Sequence, residues 1–158
     1  IPCITAHYFH DELEQGTGLK VVHAVKETGK YLQDAGIERV GILATDGTVK
    51  SRLFENVLSQ YGITTVNPGE KSQRMVMDLI YRQIKSGEKG NLDQFTQVGE
   101  ELFHAGAQVN LLGCTELSLL KRDYSLTAGF LDVLEVLAGC AVQECGRFDM
   151  RYRELITK

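Results

Sequence analysis

The sequence predicts an α/β protein of three layers, in which helices cover both faces of a short, mainly parallel sheet. Short apolar runs rich in β-branched residues alternate with longer amphipathic segments along the chain. The run at 40–45 is almost entirely apolar, which is typical of a strand with both faces covered by helices. With 158 residues, of which 43% are hydrophobic and 24% charged, the chain is long enough to bury such a core.

The predicted elements from residue 38 onward follow this alternation. The helix at 49–61 has its apolar residues on one face, and Gly62 is well placed to end it. The run 86–91 consists mostly of turn formers and therefore separates two helices. In chain order we expect a strand at 40–45, a helix at 49–61, a strand at 63–66, helices at 71–85 and 92–105, a strand at 109–112, a short helix through 120, a strand at 128–131 and a helix at 133–145.

The chain divides into three unequal parts. Residues 1–37 supply a helix after Thr5, an extended piece at 21–22 and a helix at 25–35, which is too little for an independent sheet. We therefore expect 1–37 to be the remnant of a first lobe and 38–132 to be a complete α/β lobe. Residues 133–158 form a C-terminal helix and tail, of which the last residues are either detached or helical.

Composition excludes several classes of function. The net charge of −4 comes with no basic stripe, so no nucleic acid is expected as a partner. No apolar stretch approaches the roughly 20 residues that span a bilayer, and the N-terminus lacks a signal-peptide pattern, so we expect no membrane contact and a cytoplasmic location. The four cysteines are predicted to be free thiols, and no Cys/His spacing suits a structural metal site.

Three predicted strand-to-helix junctions carry the candidate chemistry. They are Cys3-Ile4-Thr5, Thr45-Asp46-Gly47-Thr48 and Cys114-Thr115-Glu116. Ligands of open α/β sheets bind outside the carboxyl ends of the strands. A thiol at a helix N-terminus is expected to favour the thiolate, which can act as a base or nucleophile. The threonine hydroxyls suit a small carboxylate, although Thr48 and Thr115 could equally be helix caps and a lone cysteine is often a buried apolar residue.

The two cysteine motifs resemble those of one known family. Pro2-Cys3-Ile4-Thr5-Ala6-His7 is similar to the Pro-Cys-Asn-Thr-Ala-His motif of the aspartate/glutamate racemase superfamily, and Gly113-Cys114-Thr115-Glu116-Leu117 to its Gly-Cys-Thr-Glu-Leu/Ile motif. Thr45-Asp46-Gly47-Thr48 resembles the family's Thr-x-Gly-Thr turn. The resemblance extends to about Gly146, and Glu116, in place of the histidine usual in glutamate racemases, places the chain nearer the aspartate racemase branch.

The resemblance implies a cofactor-independent racemase that acts on aspartate or glutamate and uses no metal. Cys3 and Cys114 would be its two catalytic acid–base groups, one on each face of the α-carbon. Thr5, Thr48 and Thr115 would bind polar groups of the substrate, Lys85 would bind a carboxylate, and Glu116 would lie among the substrate-binding residues and orient its neighbours. The fold implied is one lobe of the two-lobe racemase fold.

Two departures from the family pattern affect these expectations. Ile4 stands where the family has asparagine, and an isoleucine side chain cannot form a hydrogen bond to substrate. In the family, about half of the first lobe precedes the first cysteine motif. We therefore expect this chain to be a fragment with little or no racemase activity by itself, and we expect the apolar surface left exposed to favour a homodimer.

Two alternative functions remain open on the sequence. One is a related thiol-dependent enzyme that acts on another carboxylate, of the maleate isomerase or arylmalonate decarboxylase type. The other is a non-catalytic domain that kept the fold and binds a small molecule.

Overall fold

One parallel sheet forms the centre of the molecule in the computed structural model, which describes residues 1–147 and 149–158. The strands are β1 (Arg39–Leu43), β2 (Thr64–Val66), β3 (Val109–Leu112) and β4 (Phe130–Asp132). They lie in the order β2-β1-β3-β4, and each neighbouring pair is parallel. The predicted α/β class with a short parallel sheet is therefore confirmed.

Eight α-helices pack around this sheet in the described part of the chain. They are α1 (His10–Thr17), α2 (Ala24–Asp34), α3 (Asp46–Lys50), α4 (Leu53–Leu58), α5 (Glu70–Asp78), α6 (Leu92–His104), α7 (Ser118–Asp123) and α8 (Val133–Glu144). None of them is both long and apolar enough to cross a membrane.

The alternation of side chains along the strands divides the core into two halves. In β1, Val40 and Ile42 point to one face and join the core made with α2, α4 and α8, whereas Leu43 joins the core made with α5, α6 and α7 on the other. Each of these side chains is at most 1% exposed, and full burial of a side chain of this size contributes about 1.5–3 kcal/mol. The three-layer arrangement follows because both faces of the strands are apolar.

Gly41 lets α6 approach β1 closely. A methyl group added at Gly41 would collide with the amide oxygen of Asn110 on β3 and with the side chain of Leu102 on α6. Glycine is therefore required at this position by the close packing of a helix on the sheet.

The prediction of one continuous helix over 49–61 is wrong. The chain forms α3, then a break at which Arg52 takes a left-handed conformation with φ of 55°, then α4 and a 3-10 turn at Ser59–Tyr61. The break lets the chain change direction so that Phe54 and Leu58 still pack against the sheet. Gly62 ends this region with φ of 74°, as predicted.

The helix predicted at 71–85 also changes character along its length. After α5 the chain forms a π-helical turn at Leu79–Gln83 and a 3-10 turn at Ile84–Ser86. A π-helical turn shifts the following side chains around the axis, and such turns are frequent at functional sites.

The C-terminal residues are attached to the sheet rather than detached. The amide of Thr157 donates to the carbonyl of Phe130 at 2.8 Å, and the Thr157 carbonyl accepts from the amide of Gly129 at 2.9 Å. Leu155 is buried in the core beside α2 and α8. The last described turn, at Met150–Tyr152, is a 3-10 turn.

Candidate active site

The candidate site lies at the carboxyl end of the two central strands. Leu43 and Leu112 are paired neighbours at the ends of β1 and β3, so the residues that follow them emerge side by side. A cavity of about 350 Å³ opens beyond them. Its lining consists of Cys3, Ile4, Thr5, Thr45, Gly47, Met77, Tyr81, Lys85, Gly113, Cys114, Thr115 and Glu116. The structure therefore brings together six of the seven residues that the sequence selected, and places Thr48 behind them.

Cys114 is buried and held as a thiol. Its side chain is 9% exposed, and its Sγ donates to the Glu116 Oε2 atom at 2.8 Å. Burial, followed by the hydrogen bond and the negative charge of Glu116, raises the pKa of the Cys114 thiol to about 12. The expectation that the thiolate is favoured is wrong for Cys114, because α7 begins only at Ser118 and a carboxylate is the nearest polar partner.

Glu116 connects Cys114 to Lys85. Its Oε1 atom lies 3.5 Å from the Lys85 Nζ atom, and its Oε2 atom also accepts from the Thr115 hydroxyl at 3.2 Å. Burial alone would raise the pKa of Glu116, but the hydrogen bonds and the charge of Lys85 outweigh it and lower that pKa. Burial alone would lower the pKa of Lys85, but the negative charge of Glu116 outweighs burial, so the pKa of Lys85 is raised. Glu116 and Lys85 are therefore both charged at neutral pH.

Cys3 also lines the cavity and is exposed. It directly precedes a 3-10 helix at Ile4–Phe9 and has extended backbone, with φ of −140°. The next side chain, Ile4, is 2% exposed and packs in the core shared by α2, α4 and α8. Ile4 therefore anchors the segment by apolar contact and turns its side chain away from solvent.

A chain of three threonine hydroxyls joins the Cys3 segment to the turn after β1. The Thr5 Oγ1 atom is 2.8 Å from the Thr48 Oγ1 atom, which is 3.1 Å from the Thr45 Oγ1 atom. Thr45 also caps α3 by accepting from the amide of Thr48. Thr48 is 1% exposed, so its hydroxyl supports Thr5 instead of lining the cavity.

Tyr81 and Met77 line the cavity and were not selected from the sequence. The Lys85 Nζ atom lies 4.4 Å from the centre of the Tyr81 ring, a cation–π contact. The Met77 sulfur accepts from the amide of Asp46 at 3.2 Å. The sequence could have identified both residues, because Met77, Tyr81 and Lys85 are spaced four apart and residues at that spacing share one face of a helix.

Other polar and nucleophilic side chains lie outside this cavity. Asp132 is buried, caps α8 through the amide of Leu134 at 2.8 Å and accepts from the Ser118 hydroxyl at 3.0 Å. All four cysteines are free thiols, as predicted. Within residues 1–147 and 149–158, no cluster of three or more His, Cys, Asp or Glu side chains has the geometry to hold a metal ion.

Similarity to known proteins agrees with this geometry. The chain is 34% identical over 133 residues to an uncharacterized protein encoded in the pnlA 3′ region of Pectobacterium carotovorum subsp. carotovorum, a match that covers 82% of this chain and 87% of the relative. It is 25% identical over 142 residues to the broad specificity amino-acid racemase RacX of Bacillus subtilis (strain 168), covering 90% of this chain and 62% of RacX.

A solved structure shows the same fold. The Picrophilus torridus aspartate racemase superposes with a TM-score of 0.69 at 25% identity, covering 96% of this chain and 64% of that enzyme. The chain thus spans less than two thirds of RacX and of the Picrophilus enzyme. A profile of the Asp/Glu/Hydantoin racemase family matches residues 1–142. The chain therefore belongs to the Asp/Glu/hydantoin racemase family.

Proposed function

We propose that this chain carries the two acid–base thiols of a cofactor-independent amino-acid racemase of the aspartate or glutamate type. The observation that supports the proposal most strongly is that Cys3 and Cys114, 111 residues apart in sequence, line one cavity. Inversion at an α-carbon requires a base on one face and an acid on the other, with the substrate held still between them.

The surroundings of the two thiols suit one as the proton donor and the other as the base. Cys114, protonated and bound to Glu116, is suited to deliver a proton to the α-carbon while Cys3 removes one from the opposite face. In the reverse direction Cys114 must act as the thiolate, which the Glu116 carboxylate disfavours and the charge of Lys85 favours. Glu116 therefore keeps Cys114 in the protonated state from which it delivers a proton.

The substrate's charged groups have candidate partners in the same cavity. We propose that the Lys85 ammonium and the hydroxyls of Thr5 and Thr115 bind carboxylate and that Glu116 faces the substrate ammonium. Thr48 acts on the substrate through Thr5, to which its hydroxyl is bonded. Aspartate or glutamate as the substrate rests on the motifs and on the named activity of the Picrophilus relative.

Several further properties are proposed with this function. Residues 1–37 belong to a first lobe, 38–132 form the second lobe, and 133–158 form a C-terminal helix and tail. The chain resides in the cytoplasm and forms a homodimer. Its own activity is weak, because the Cys3 side of the cavity is open to solvent while efficient proton transfer needs both groups fixed.

Racemisation measured by chiral chromatography tests the proposal. Purified chain is incubated at high concentration with L-aspartate or L-glutamate, and the D enantiomer is quantified. We expect slow conversion that falls by at least about 100-fold in Cys3→Ala and in Cys114→Ala. Cys145→Ala is the matched control, since Cys145 is an exposed thiol outside the cavity. Conversion that survives loss of either cavity thiol overturns the proposal.

A second candidate, ligand binding without catalysis, is favoured by the high pKa of Cys114. A thiol with a pKa of about 12 is a poor base at neutral pH. Binding of aspartate at Lys85 and Thr115, detected by NMR shift changes with no racemisation, would select this candidate.

A further inference from the structure

Three histidines form a cluster outside the candidate site, between the Cys3 segment and α2. The ring centres of His7 and His23 are 5.3 Å apart, and those of His10 and His23 are 4.7 Å apart. His7 and His23 are 1% and 7% exposed. The cluster thus places two buried imidazoles and a third beside them where the first 17 residues meet the rest of the protein.

Each imidazole fastens a different part of this segment. The His7 Nε2 atom bonds the carbonyl of Ile1 at 3.0 Å, and the His10 Nε2 atom bonds the carbonyl of Val21 at 2.8 Å. His23 caps α2, because its Nδ1 atom accepts from the amide of Lys26. The Nδ1 atom of His7 is buried and has no hydrogen-bond partner among the described residues.

We propose that His7, His10 and His23 form a pH-sensitive clasp, which holds residues 1–17 against α2 at neutral pH and releases them in mild acid. A proton on His23 would place a cation beside two other imidazoles in a buried setting, and a proton on the Nδ1 atom of His7 would add a buried donor without an acceptor. Release moves both groups into water. Its effect on catalysis rests on the proposed function, because Cys3 and Thr5 belong to the released segment.

The charges around the cluster have opposing effects. His23 faces His7, His10 and Lys26, and its pKa is lowered to about 4 by burial and then by these neighbours. Burial also lowers the pKa of His7, with the bond to Ile1 opposing this effect and His10 adding to it. Both groups therefore favour release as the pH falls below their ordinary value of 6.5.

His10 acts in the other direction. Its pKa is raised, first by the hydrogen bond to Asp11, with Glu14 adding to the effect and Lys26 opposing it. A protonated His10 therefore favours the docked segment and offsets part of the release. His10 and His23 line a cavity whose remaining charges include two ion pairs, Lys20–Glu144 at 2.9 Å and Lys30–Glu27 at 2.6 Å. The thiol of Cys140 lines the same cavity.

Hydrogen exchange followed by mass spectrometry tests the clasp on the whole chain. The amides of α1 are compared with those of β1 at pH 7.5 and pH 5, after correction for the intrinsic pH dependence of exchange. We expect protonation of His23 alone to raise the opening equilibrium of residues 1–17 by about 30-fold at pH 5, which lies 1.5 units below its ordinary pKa. We expect α1 to lose protection at pH 5 while β1 stays protected.

Two variants separate the clasp from general acid sensitivity. His23→Asn keeps a side chain that can cap α2 but does not titrate, so most of the pH dependence of α1 exchange should vanish. His7→Gln should remove a further part of it, and the exposed His104→Asn should retain the response of the unsubstituted chain. Equal protection of α1 at both pH values, the same pH dependence in His23→Asn, or joint opening of α1 and β1 overturns the proposal. The readout is independent of racemisation, so it stands or falls apart from the proposed function.

Discussion

The two cysteines that line the cavity lie in opposite physical settings. Cys114 follows a central strand, is buried, and donates to Glu116. Cys3 is exposed, and its segment is held from behind by Ile4 in the core, by Thr5 on Thr48 and by His7. The residues around Cys114 therefore set the protonation of that thiol directly, whereas the N-terminal segment fixes only the position of Cys3.

The largest effect should come from Ile4, the apolar anchor of the Cys3 segment. Because Ile4 is 2% exposed, Ile4→Ala removes buried contacts and should lower the free energy of unfolding by about 2–4 kcal/mol. Urea denaturation measures the change. Ile1→Ala is the control, since Ile1 is 44% exposed and should change stability by less than about 0.5 kcal/mol. Equal effects of the two substitutions would show that Ile4 does not anchor the segment.

The next largest effect concerns the pKa of the Cys114 thiol. Glu116→Gln removes the negative charge that helps to raise the pKa of Cys114 and leaves its burial in place. The thiolate then becomes more populated, and alkylation of Cys114 by iodoacetamide at pH 8 should be about tenfold faster. Peptide mass spectrometry follows this residue alone. The control is Glu88→Gln, at an exposed position outside the cavity, which should leave the alkylation rate of Cys114 unchanged. If Cys114 is alkylated at the same rate in Glu116→Gln as in Glu88→Gln, the charge of Glu116 does not raise the pKa of Cys114.

The smallest effect should come from the hydroxyl chain that links the two regions. Thr48→Val keeps the shape of a buried side chain and leaves the Thr5 hydroxyl without its partner. We expect a loss of about 1 kcal/mol in unfolding free energy, measured in urea. Thr64→Val, at an exposed strand position, serves as the control and should stay within about 0.5 kcal/mol. A Thr48 variant as stable as the control would show that the hydroxyl chain does not stabilise the fold.

The sequence predicted those features that depend on local pattern. The bounds predicted for the strand 109–112 were exact, because all four of its residues are buried. Gly62 ends its helical region with a positive φ, as its residue type predicted. The break at Arg52 was missed because it depends on how α3 and α4 each meet the core, which a helical period does not record. The packed C-terminal residues were missed for a similar reason, since their bonds reach 27 or more residues back to β4.

The sequence selected residues that share one cavity but did not predict the protonation of Cys114. Two motifs and Lys85 sufficed to select residues that share a cavity. The state of Cys114 was predicted wrongly, because it depends on burial and on the direction of the Glu116 carboxylate, and both follow from tertiary packing. The support of Thr5 by Thr48 joins residues 43 apart, so no local pattern signals it.

The position of deuterium after turnover in deuterated water tests the central claim, that Cys3 and Cys114 act on opposite faces of one α-carbon. Starting from L-aspartate or L-glutamate, we expect the first D enantiomer formed to carry deuterium at the α-carbon, while the recovered L enantiomer keeps its proton. Deuterium that enters both enantiomers equally from the first turnovers would mean that a single base serves both faces, and would contradict the account.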